Sequence, residues 1–195
     1  MRSLMIIGLA LIAFNVNALS IQAGVKAPAM LGMNITGNAG TWTGFFYGGG
    51  LAVDIDYLTL TKDMSLSGEA WGMFTLDRYA LPPDLFVPGA YQQYYSIRWG
   101  VLAKFHFFRH AYAGIGPTFV THMAGTYGDA DTERAFIAAN LGTDAFLTAA
   151  GGYAFPVFGA FTIPVEIQFD WGPGITGAVP ISCSINAGFA YVFKL

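Results

Sequence analysis

The sequence predicts an all-β fold, an eight-stranded antiparallel up-and-down β-barrel that crosses a membrane. Three observations carry this. The chain is 54% hydrophobic and only 11% charged, with a mean hydropathy of +0.50, whereas a soluble domain carries about 25% charged residues. Apolar and polar residues alternate with period two in successive segments of about ten residues, the length a tilted strand needs to cross a bilayer. These segments are joined alternately by short and long connections, as turns on one side of a membrane and loops on the other would be. Nine Lys plus Arg and a net charge of −3 argue against a nucleic-acid binder. Twenty-five Gly and nine Pro argue against long helices.

The chain begins with Met1, Arg2 and Ser3, followed by an uncharged run over 4–14. That run is too short for a membrane-spanning helix and fits the apolar region of a secretory signal, with Val16-Asn17-Ala18 or Ala18-Leu19-Ser20 at the cleavage point. The expected organisation is a cleavable signal over 1–20 and one barrel domain over 21–195, an uncleaved anchor being the alternative. Cys183 is the single cysteine, so no disulfide forms within the chain.

The first strand is read from Ile21, Ala23, Val25 and Ala27, opposed by Gln22, Gly24 and Lys26. In the second, Leu51, Val53, Ile55 and Tyr57 oppose Ala52, Asp54 and Asp56. The third sets Leu66, Ala70, Phe74 and Leu76 against Ser67, Glu69, Met73 and Thr75, with Trp71 on the polar side. The fourth runs over 95–107, with Arg98, Lys104 and His106 opposite the apolar set. Segments 111–123 and 145–155 form the fifth and sixth, their faces blurred by Gly and Ala. The seventh is the clearest: Phe161, Ile163, Val165, Ile167, Phe169 and Trp171 alternate with Thr162, Pro164, Glu166, Gln168 and Asp170. In the last, Ile185, Ala187, Phe189, Tyr191, Phe193 and Leu195 alternate with Ser184, Asn186, Gly188, Ala190, Val192 and Lys194.

Short turns are expected at Lys62-Asp63, over 108–110 and over 156–159, and long loops over 31–44, 78–93, 124–143 and 172–180. Aromatic belts should mark both interfaces. Trp42, Phe45, Phe46, Tyr47, Tyr94, Tyr95 and Trp171 would gather on the loop side. Phe105, Phe107, Phe108, Phe155, Phe158, Phe161, Tyr191 and Phe193 would gather on the turn side. Two uncharged runs, 145–165 and 172–193, are long enough for transmembrane helices, but both are interrupted by Gly and Pro. A soluble barrel would need a polar outside, and a face of Phe, Ile, Val and Trp does not supply one.

These features resemble the small eight-stranded outer-membrane β-barrels of the OmpX, OmpW and OmpA-barrel type. Ile163-Pro164-Val165-Glu166-Ile167-Gln168-Phe169 is similar to their penultimate strand, and Tyr112-Ala113-Gly114-Ile115-Gly116-Pro117 to a common strand opening. Phe189, Tyr191, Phe193 and Leu195 resemble the C-terminal sorting signal, although Leu195 stands where an aromatic is usual. The resemblance implies an outer-membrane location, surrounding lipid, the barrel-assembly machinery and periplasmic chaperones as biogenesis partners, and a monomer. It implies no single activity.

The charges Lys26, Asp54, Asp56, Glu69, Arg98, Lys104, Glu166, Asp170 and Lys194 all take the inward parity, with His106 and Gln168 beside them. Buried charges must pair, and eight strands leave room only for side chains. The expectation is therefore a lumen closed by paired charges, with a narrow channel or transporter as the alternative. Leu81, Leu85, Phe86, Val87 and Tyr91 make the second long loop apolar and could line a mouth for a hydrophobic molecule, although a loop that folds over the mouth or touches the bilayer surface explains them more simply, because apolar patches need cover. Asp129, Asp131 and Glu133 are spaced to suit Ca²⁺, but solvated acids or the start of a short helix at Arg134 explain them more simply. His122 has only Thr121 and Ser182 as conceivable company, and no G-x-S-x-G occurs. No enzyme, metal or cofactor is expected.

Overall fold

The computed structural model describes residues 22–37, 41–81, 88–108, 110–129, 131–135, 141–172 and 181–194. The expected signal over 1–20 lies outside them. Among the described residues there are nine strands: β1 (Gln22–Gly37), β2 (Thr41–Thr61), β3 (Met64–Ala80), β4 (Tyr91–Phe107), β5 (Ala111–Gly128), β6 (Glu133–Ala135), β7 (Thr143–Phe158), β8 (Phe161–Trp171) and β9 (Ile181–Lys194). Eight of them form a closed antiparallel ring in which each pairs with its chain neighbour and β9 returns to β1. The ninth, β6, pairs only with the end of β5, through Thr126, Tyr127 and Gly128. Closure gives each of the eight ring strands a partner on both sides, which a barrel in lipid requires.

Each expected segment lies within one ring strand, apart from Ile21 and Leu195, which are outside the described residues, but several strands run further than their apolar patterns. The expected loop over 31–44 is a correction: residues 31–37 belong to β1 and 41–44 to β2, paired from Leu31↔Tyr47 to Gly37↔Thr41. The reason is that backbone pairing continues past the point where side chains stop alternating. β3 likewise runs to Ala80 and β5 to Gly128. Arg134 and Ala135 lie in β6, not at the start of a helix. The last turn also shifts, to Gly159-Ala160, after an irregularity in pairing between Pro156 and Phe158. There Gly159 adopts φ +56°, a conformation that glycine takes without penalty.

The polarity of the ring is inverted relative to a soluble protein. Outward positions of β2 are Phe45, Tyr47, Leu51, Val53, Ile55 and Tyr57, all exposed, and Phe74 on β3 is 71% exposed. Inward positions on the same strands are Phe46, Ala52, Asp54, Glu69, Trp71, Met73 and Asp77, all buried. An apolar exterior around a polar interior is what a bilayer demands. A chain of rings, Phe158, Phe161, Tyr191 and Phe193, runs along the turn end with successive centroids 4.9, 4.8 and 4.6 Å apart. At the loop end Phe45, Tyr47, Tyr95 and Trp171 face outward. Phe46 and Tyr94 do not join them. Phe46 is completely buried in the interior, and the Tyr94 ring packs at a tilt against His122.

Candidate functional site

Among the described residues the interior is organised around two buried cations. Arg98 of β4 is 2% exposed. Its Nη1 donates to Asp170 Oδ2 at 3.2 Å, and its Nη2 lies 3.6 Å from Asp77 Oδ1. Its guanidinium sits 3.8 Å from the centroid of the Phe46 ring, a favourable face for a cation. Asp170 is in turn held by hydroxyls: Ser182 donates to Oδ2 at 2.6 Å and Thr148 to Oδ1 at 2.7 Å. Four strands thus meet at one carboxylate and its partner.

Toward the turn end, Lys104 of β4 is 1% exposed and has the same plan. Its Nζ lies 2.8 Å from Glu69 Oε1 and 2.7 Å from Glu166 Oε2, and 4.3 Å from the Tyr112 ring centroid. Glu166 Oε1 accepts from Gln168 Nε2 at 2.7 Å and from Asn186 Nδ2 at 3.4 Å. Each cation is therefore held between two carboxylates from opposite sides of the ring. Such contacts offset the large cost of taking charge out of water. Between the tiers lie Trp71, Met73 and Leu102, with a cavity of about 20 Å³ beside Trp71, Gln168 and Asn186, room for a single water.

Of the nine charges assigned inward, Glu69, Arg98, Lys104, Glu166 and Asp170 are brought together in these tiers. Asp54 and Asp56 stand apart, in a chamber at the turn end that also holds His106 and His110. Lys26 and Lys194 lie on β1 and β9, in register with Ala52 and Gln22 respectively, and their side chains are outside those described. Asp77 was not among the expected residues, yet it is wholly buried against Arg98. Its signal was available: it continues the inward series Glu69, Trp71, Met73, Thr75 along the longer β3.

At the loop end, the company of His122 is Ser96 and Asp144 rather than Thr121 and Ser182. Ser96 Oγ lies 2.8 Å from Nδ1, and Asp144 Oδ2 lies 3.1 Å from Nε2. A register shift between β4 and β5 at Tyr95/Ser96 adjoins this group. Ser96 is 2% exposed, so its hydroxyl is not an accessible nucleophile.

Leu81 and Tyr91 border a cavity of about 540 Å³ that Phe45, Tyr47, Arg78 and Pro88 also line. Phe45, Tyr47 and Arg78 are on the outward face, so this is a groove in the outer wall, not the mouth of the interior. Tyr91 also donates to Glu133 Oε2 at 3.0 Å and lies under the Arg78 guanidinium. Leu85, Phe86 and Val87 lie outside the described residues. Asp129 Oδ1 accepts from the backbone N–H of Asp131 and of Thr132 and from the Thr132 hydroxyl, and these bonds hold its carboxyl below the ordinary value. Phe189, Tyr191 and Phe193 face outward along β9, and Leu195 is outside the described residues.

A closed ring of eight antiparallel strands, apolar outside and charged within, defines an up-and-down β-barrel of the transmembrane kind. No protein-family model matches the chain, and no curated protein matches it in sequence. Solved structures that align with it include small outer-membrane barrels. Neisserial surface protein A is 13% identical, covering 87% of this chain and 96% of its own, at TM-score 0.46. OprG from Pseudomonas aeruginosa is 10% identical, covering 90% and 97%, at 0.48. The Yersinia pestis attachment protein Ail, solved with the heparin analogue sucrose octasulfate, is 10% identical, covering 87% and 99%, at 0.43. Similarity this remote leaves the architecture to be argued from this chain's own register and burial.

Proposed function

We propose that this chain is a structural or surface-interaction barrel of a Gram-negative-type outer membrane. Its signal over 1–20 would be removed, assembly would involve periplasmic chaperones and the barrel-assembly machinery, and the mature chain would stand in lipid as a monomer. The short turns then face the periplasm and the longer connections face outside. The reading rests on one observation: Arg98 and Lys104 are each buried across the interior between two carboxylates. Side chains so engaged fill an eight-stranded barrel, so transport through the centre is disfavoured and contact with partners falls to loops and wall. Among the described residues no accessible nucleophile and base pair supports an enzyme reading.

Single-channel recording in planar bilayers tests this. The sealed reading expects no conductance steps across voltage and pH. Reproducible steps that change in Arg98→Ser would support the ion-channel reading instead. A second reading, uptake or binding of a hydrophobic molecule, is favoured by the apolar groove under Leu81 and Pro88. Hydrophobic-ligand binding abolished by Leu85→Ala or Phe86→Ala would favour it.

A further inference from the structure

We propose that the chamber at the turn end is a binding site for a divalent transition-metal ion of the zinc class, held by Asp54, Asp56 and His106. This site is separate from the two cation tiers and does not depend on the lumen being sealed.

The ligand geometry comes from strand parity. Asp54 and Asp56 are two apart on β2, so both point to the same face. His106 comes from β4 across β3 and approaches from one side. One ligand atom from each residue can be chosen so that all lie within 4.8 Å of one another, and His106 Nε2 is 4.0 Å from Asp56 Oδ1. Bonds of about 2.0–2.2 Å place tetrahedral ligand atoms about 3.4 Å apart, so the three must draw in by about an ångström. They can do so: His106 and Asp56 are only partly buried, and the chamber they line has a volume of about 220 Å³. It has space for the ion and for water in the remaining positions. A second imidazole, His110, lines the same chamber.

The chemistry of the donors selects the ion. One or two imidazoles with two carboxylates suit zinc and its first-row neighbours, whereas calcium and magnesium prefer oxygen throughout. Ser67, buried in the wall, lies 2.8 Å from His106 Nε2 and positions the ring, and binding through that nitrogen exchanges this contact for the metal. Lys104, the nearest described cation on β4, is already engaged by Glu69 and Glu166. In the backbone register Lys26 pairs with Ala52, and Lys194 pairs with Gln22, which itself pairs with Asp56.

The test is isothermal titration of the tag-free chain, refolded in detergent micelles, with zinc chloride, folding being verified by gel mobility before and after heating. The site predicts one zinc per chain and a cobalt complex with a tetrahedral or five-coordinate absorption spectrum. His106→Gln and Asp56→Asn should each weaken binding by about tenfold or more, while His122→Gln at the opposite end leaves it unchanged. Absence of stoichiometric binding by the wild type, or binding undiminished in both variants, would overturn the proposal. Should a variant not fold, histidine-labelled NMR of the wild type decides. Zinc must shift the His106 ring signals and spare those of His122, and the reverse pattern refutes the site.

Discussion

Replacing Lys104 with Met removes the cation from the turn-end tier and keeps most of its volume. With Nζ 2.8 Å from Glu69 Oε1 and 2.7 Å from Glu166 Oε2, those oxygens lie at most about 5.5 Å apart, and like charges at that distance repel by about 3 kcal/mol at an effective permittivity of about 20. The variant also loses two buried contacts, and breaking such a pair costs about 3–5 kcal/mol. We expect Lys104→Met to lose about 3–5 kcal/mol at neutral pH, the lower figure applying if water enters to solvate the acids. With a urea slope of about 2 kcal/mol/M, the unfolding midpoint falls by about 1.5–2.5 M. Tryptophan fluorescence in reconstituted vesicles reads that midpoint, and the slope must stay constant for the comparison to hold. The decisive control adds Glu69→Gln and Glu166→Gln. With all three charges gone, most of the stability should return, because an uncharged replacement of a buried ion group is often neutral. A loss under about 1 kcal/mol in the single variant, or a triple variant no better than it, would refute the electrostatic account.

Three further outcomes follow from the geometry. A Cβ at Gly32 would stand 2.2 Å from Phe46 Cζ and 2.8 Å from the Cys183 carbonyl, so Gly32→Ala should cost about 1–3 kcal/mol in the same unfolding assay. Gly72→Ala, which meets nothing within 4 Å, serves as its control. Ile167→Lys puts a charge on the outer face near the middle of β8 and should cost about 2–4 kcal/mol in vesicles, whereas Ile167→Ala should cost clearly less. Asp129 has its carboxyl lowered in the folded chain, so the turn it braces is intact above the ordinary carboxylate value of about 3.9 and loosens as pH falls through the lower folded value. The Thr132 amide resonance should therefore hold steady down to about pH 4 and move only below it. A midpoint above that value would contradict the bracing hydrogen bonds.

The barrel was legible because period two is a one-dimensional signal. Along Phe161–Trp171 the parity of each residue decides its face, and Glu166, Gln168 and Asp170 are inside for the same reason that Ile167 and Phe169 are outside. Strand ends were less legible. Asn34, Thr36 and Gly37 look like loop residues but remain in the ladder, since backbone hydrogen bonds do not require apolar side chains. That hid Asp77 by the same mechanism, and it placed Phe46 in an interface belt when it is the ring beneath Arg98. Pairing was illegible in principle. Parity says that Arg98 and Asp170 both face inward, but only register and curvature bring residues of β4 and β8 together across the ring. The His122 group has the same character, its partners coming from the strands on either side.

The central claim is that the chain stands inside out, its apolar wall in lipid. Cys183, the single cysteine, projects from that wall on β9 beside Phe169, and a nitroxide attached to it reports its surroundings in reconstituted vesicles. The account predicts a label open to oxygen, which concentrates in the bilayer, and shielded from a water-soluble nickel chelate. A label open to the nickel chelate and poor in oxygen contact would place the wall in water and contradict the account.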